Sequence, residues 1–106
     1  MAEELGRAVA ELYEEHRRAA FPPRLKVDDA NGVEMVSLDS RVVGCVGTWL
    51  ENRGAVDNRR WDTLAECEQL LDRAIPALNE AEAVYYRRLL TMTVLILETP
   101  DDTQVR

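Results

Sequence analysis

Between residues 2 and 20 the apolar positions recur at threes and fours. Leu5, Val9, Leu12, His16 and Ala19 or Ala20 fall on one stripe at about 100° per residue, while Glu4, Glu11, Glu15 and Arg18 take the opposite side. This spacing predicts a first helix. Pro22 and Pro23 stop it, because proline lacks the needed donor and pushes its predecessor out of the α region. Phe21 is expected to fold back there as an apolar plug. The segment FPPRLKVDDANGVEMVSL then loses the helical period and reads as extended chain, turn and extended chain. Asn31 and Gly32 favour positive φ, so Leu25 to Val27 and Val33 to Val36 are expected to pair as a small hairpin lying against the helices.

A second helix is predicted from Asp39 or Ser40, as N-cap, to about Arg53, with Gly54 as the C′ residue. Its face is Val42, Val46, Trp49 and Leu50. VVGCVGTW also fits a strand, being β-branched and glycine-bearing, but the end signals favour a helix. Asp57 caps a third helix carrying Trp61, Leu64, Leu71, Ala74 and Ile75 until Pro76 interrupts it. Asn79, with Glu82 three residues on, writes a capping box for a fourth helix that runs to about Glu98.

Helix four has an apolar arc of roughly 200°, formed by Tyr85, Leu89, Met92 and Ile96 with Tyr86, Leu90, Thr93 and Leu97 beside them. That breadth places it at the centre of the fold or at a subunit interface, the latter implying a homodimer. The expected architecture is all-α: one four-helix bundle-like domain over residues 1–98, with a Pro-rich extended segment between helices one and two. Residues 99–106 read as a disordered tail.

A chain of 106 residues suits one domain, and its net charge of −7 repels polyanions, which argues against nucleic acid and anionic membrane surfaces as partners. A basic protein is the natural electrostatic partner. The apolar run Leu89 to Leu97 is about half of a membrane span. The acidic, amphipathic start is unlike a signal peptide, and Cys45 and Cys67 are too few for a disulfide framework, so a cytoplasmic protein with reduced core thiols is expected.

Candidate chemistry is sparse. Arg87 and Arg88 have no carboxylate three or four residues away, and they border the polar strip of helix four. The structural expectation is that their stems lie along the apolar rim and their guanidinium groups reach carboxylates on neighbouring helices; the functional alternative is a partner carboxylate or a phosphate. Arg17 and Arg18 lie near Glu14, and Arg59 and Arg60 near Asp62 and Asp57, so these basic pairs have local explanations. His16 is the only histidine, which leaves no spacing for zinc or di-iron, and no metal or other cofactor is expected. Gly44 and Gly47 mark a close helix contact. No Walker motif, dinucleotide fingerprint or nucleophile elbow is present, and no catalytic residue is assigned.

EEHRRAAFPPRL (residues 14–25), NGVEMVSLDS (31–40), GCVGTWL (44–50) and YYRRLL (85–90) resemble segments of small actinomycete proteins, chiefly from Streptomyces. The single lysine among many arginines fits a GC-rich genome. The resemblance implies a bacterial cytoplasmic origin and carries no activity with it. The resulting expectation is a non-enzymatic interaction or regulatory module with an acidic surface. The alternative is a small anionic-ligand-binding protein or enzyme whose pocket combines His16, Arg24, Tyr85 and Arg88, the Pro-rich segment serving as lid. Arg87 joins these as a residue for ligand or partner binding.

Overall fold

The computed structural model describes residues 2–99. Four helices follow one another: α1 Ala2–Arg18, α2 Met35–Glu51, α3 Asn58–Ala74 and α4 Glu80–Leu97, with short 3₁₀ turns at Pro23–Lys26 and Ile75–Ala77. α4 is central, packed by α1, α2 and α3, whereas α1 and α3 sit on opposite flanks of the α2–α4 pair. Its wide apolar arc is therefore consumed within the chain: Tyr86, Leu89, Met92, Thr93 and Ile96 are fully buried. The breadth of helix four thus loses its force as an argument for a dimer. The tail expected to be disordered lies, apart from Thr99, outside the described residues.

The segment between α1 and α2 departs from the hairpin reading. Residues Pro23–Lys26 wind into a 3₁₀ turn and Met35 already belongs to α2, so no strands are left to pair. Only the turn survives. Ala30 and Val33 exchange backbone hydrogen bonds of 3.0 and 2.9 Å across Asn31 and Gly32, whose φ angles are +50° and +81°. Asn31 also donates from Nδ2 to the Arg73 carbonyl at 2.9 Å, tying the turn to the end of α3. Leu25, Ala30 and Val33 are buried, so the segment does pack across the helices as expected.

α2 begins four residues earlier than its predicted cap, because Met35 and Leu38 are drawn into the core. Glu34 caps it, its carboxylate accepting from the Val36 and Ser37 N–H groups at 2.9 and 3.0 Å. Val33 and Leu38 hold the N′ and N4 positions of a hydrophobic staple. The consequence is that Asp39 lies inside the helix, where it cannot cap anything. At the other end the Gly54 N–H donates to the Trp49 carbonyl at 2.7 Å and that of Arg53 to Leu50 at 3.3 Å, a Schellman closure in which Arg53, at φ +58°, takes the C′ place expected for Gly54.

The remaining ends follow the pattern. Asp57 accepts from the Arg60 N–H at 2.9 Å, and Asn79 and Glu82 close their capping box reciprocally at 2.9 and 3.0 Å. Gly47 faces α1 at close range, since a Cβ there would stand 2.9 Å from the Tyr13 hydroxyl oxygen. Gly44 is exposed with nothing near it, so only one of the two glycines marks a contact. Cys45 and Cys67 are free and buried.

Candidate functional site

Asp39, displaced from the helix end into the second turn of α2, becomes the polar hub of the molecule. His16, in the last turn of α1, holds Nε2 at 2.9 Å from Asp39 Oδ1. Tyr85, in the second turn of α4, donates its hydroxyl to Asp39 Oδ2 at 2.7 Å. One carboxylate thus joins three helices. The other ring nitrogen of His16, Nδ1, is buried with no hydrogen-bond partner among the described residues. The His16 and Tyr85 rings pack with centroids 4.4 Å apart, and Phe21 meets Tyr85 edge-on at 5.6 Å, which is the plug expected after α1. Burial, reinforced by donation to Asp39, pushes the Tyr85 phenol well above its ordinary pKa. Tyr86, fully buried beside it, donates to the Met35 carbonyl at 2.8 Å, and burial raises its pKa as well.

A second polar contact lies at the same end of the bundle. Arg24, on the 3₁₀ turn, donates through Nε and Nη2 to the two oxygens of Glu82 at 2.9 and 2.8 Å. This bidentate pair holds the Glu82 carboxyl below its ordinary range, against the opposing effect of burial, and raises the Arg24 guanidinium in turn. Glu82 also serves the capping box, so one side chain fixes the start of α4 and clips the Pro-rich segment to it.

The five residues singled out from sequence divide accordingly. His16, Tyr85 and Arg88 gather around one ring, with the Arg88 guanidinium carbon 5.9 Å from the Tyr85 centroid. Arg24 is taken up by Glu82, and Arg87 is exposed on the outer strip of α4. Neither Arg87 nor Arg88 forms an ion pair among the described residues, which corrects the expectation that they reach carboxylates on adjacent helices. The physical reason is orientation: Glu11, Glu14 and Glu15 of α1 face solvent, and Asp39 already has two donors. Arg88 is left with a buried, unpartnered Nη1. Of the local pairs, Arg17–Glu14 at 3.1 Å and Arg60–Asp57 at 3.0 Å do form.

The connectivity limits the chemistry. Asp39 stands between the imidazole and the phenol, so neither polar hydrogen of the two rings is aimed at the other, and among the described residues His16 Nδ1 has no hydrogen-bond partner. Among the described residues no three His, Cys, Asp or Glu side chains could hold a metal ion, and no helix is long and apolar enough to cross a membrane. A shallow, open depression lies along the solvent side of α1, lined by Ala10, Glu11, Glu14, Glu15 and Arg18.

Comparison with protein-family models, with curated proteins and with solved structures returns no match. The functional reading therefore rests on geometry. Sequence reasoning missed Asp39 and Glu82 because both were taken for terminal residues, a cap and a capping-box partner. Nothing in local spacing links residue 16 to 39 and 85, but Met35, Asp39, Val42, Val46 and Trp49 form one stripe once α2 is extended backwards.

Proposed function

We propose that this protein is a non-enzymatic interaction module of the bacterial cytoplasm, its interior polar groups holding the fold and its exterior charge making the recognition. One observation carries the reading. The side chains best suited to chemistry engage each other: His16 and Tyr85 share Asp39, and Arg24 is held bidentately by Glu82. What faces outward without a counter-ion among the described residues is charge, including Glu3, Glu4, Glu11 and Glu15 on α1 and Arg87 on α4. In a chain of net charge −7 such an exterior steers toward basic surfaces.

Capture from a native lysate at low and high salt tests this, using the wild-type chain and a Glu4→Gln, Glu11→Gln, Glu15→Gln variant, with mass spectrometry of what is retained. The expected result is a bound protein recovered at low salt by the wild type and lost by the variant. Retention identical for both, or nothing retained by either, would overturn the reading.

A further inference from the structure

We infer that Asn31 is a self-modification site: the folded chain loses this side-chain amide as ammonia, and the loss turns a reversible tie between the α1–α2 segment and α3 into one that cannot re-form. Asparagine is among the chemically labile residues. Asn31 is the only asparagine of the chain followed by glycine, whereas Asn52, Asn58 and Asn79 precede Arg53, Arg59 and Glu80, whose side chains crowd the next backbone nitrogen. Glycine, with no Cβ, leaves that nitrogen open to reach the amide carbon of the residue before it. Asn31 and Gly32 are exposed, a Cβ on Gly32 would meet nothing within 4 Å, and the Gly32 N–H donates to no acceptor among the described residues. The attacking atom is therefore bare and unobstructed.

Water is the one co-reactant the step needs. The Gly32 nitrogen gives its proton to solvent and bonds to Asn31 Cγ; the Cγ–Nδ2 bond breaks, and the amine takes a proton from solvent and leaves as ammonia. Water then opens the resulting five-membered imide at either carbonyl, giving aspartate in the ordinary backbone or its β-linked isomer. Nothing is oxidised or reduced.

The fold governs when this happens. Asn31 and Gly32 hold φ angles of +50° and +81°, Ala30 and Val33 close the turn with hydrogen bonds of 3.0 and 2.9 Å, and Asn31 Nδ2 donates to the Arg73 carbonyl at 2.9 Å. Ring closure first requires the amide to let go of α3. Each release is reversible until ammonia departs. Afterwards a carboxylate stands where the donor was, with no N–H to give the Arg73 carbonyl, and oxygen faces oxygen. The new charge joins Asp28 and Asp29 on a chain already at −7. The β-linked isomer also inserts a backbone carbon between Ala30 and Val33, which breaks their reciprocal pair. These two residues are 2% and 4% exposed, so the change loosens a part of the core.

Ageing the folded full chain at mildly alkaline pH, followed by peptide mapping with mass spectrometry, tests the inference. Cleavage after Lys26 and Arg41 isolates Asn31 in the peptide of residues 27–41. The expected result is the amide-to-acid mass gain in that peptide alone, as two chromatographically distinct products, slower at mildly acidic pH because less of the Gly32 nitrogen is deprotonated. In urea, where α3 no longer holds the amide, the wild type should react several-fold faster, and Gly32→Ala, compared there so that folding plays no part, should be several-fold slower than the wild type. The aged protein, separated by its extra negative charge, should lose hydrogen-exchange protection at the Ala30 and Val33 amides while α4 keeps its own, and freshly made Asn31→Asp should reproduce part of that loss. Asn31 intact in the folded chain after the chain in urea has reacted fully overturns the inference. So does a gain spread over the peptides of Asn52, Asn58 and Asn79, or an aged protein whose Ala30 and Val33 amides stay protected.

Discussion

Asp39 concentrates the energetics of the molecule in one carboxylate. It accepts from α1 and α4 at once, so its removal strands the buried His16 and Tyr85 without their partner. Asp39→Ala should cost about 3 kcal/mol of unfolding free energy, the scale of breaking a buried charged hydrogen-bond network, whereas Arg17→Ala, in an exposed pair, should change it by less than about 0.5 kcal/mol. Urea unfolding followed by circular dichroism measures both. The thiols provide a second check on the interior. Burial pushes Cys67 to about 11 and raises Cys45, so neither should react with a thiol reagent in the native state at pH 8, and both should react after unfolding. That both are core cysteines was legible from their apolar contexts. The role of Asp39 was hidden because one residue type serves equally as helix cap and as buried hub, and only tertiary packing of Met35 and Leu38 decides between them.

Among the elements, α3 and α4 were readable nearly to the residue because Asp57, Asn79 and Glu82 are capping signals whose partners lie within three residues. The start of α2 was not, since glutamate is a rare N-cap and the gain comes from burying Met35 and Leu38. The hairpin reading failed for a related reason: Asn31 and Gly32 do form the tight turn, but the core takes Leu25 through a 3₁₀ turn and Met35 through a helix before strands can extend. Two substitutions separate local from tertiary effects. Gly44→Ala sits on the exposed side of α2 with open space at its Cβ, and should stabilise the protein by about 1 kcal/mol through helix propensity. Gly47→Ala must displace the Tyr13 hydroxyl, so its thermal midpoint should fall below that of Gly44→Ala. Thermal unfolding of the two variants compares them directly.

At the scale of the whole molecule, stability should peak near neutral pH and fall on both sides. The Glu82 carboxyl is held below its unfolded value of about 4.3, so its contribution is present above that pH and is lost as pH falls through the depressed folded value. Tyr85 and Tyr86 are pushed the other way; the folded chain keeps phenol protons that the unfolded chain releases near pH 10, so their contribution is present below that pH and declines above it. Urea midpoints across pH should trace this dome, and Glu82→Gln should flatten its acid limb while leaving the alkaline limb in place.

On the proposed reading the interior of the chain holds the fold and the exterior recognises. Partner recovery at fixed low salt, normalised to folded protein, tests this division most directly when Glu11→Gln with Glu15→Gln is set against Asp39→Asn. Recovery should collapse for the surface pair and persist for the core variant. Persistence for the surface pair with loss on changing Asp39 would contradict it and return recognition to the His16–Tyr85 cluster.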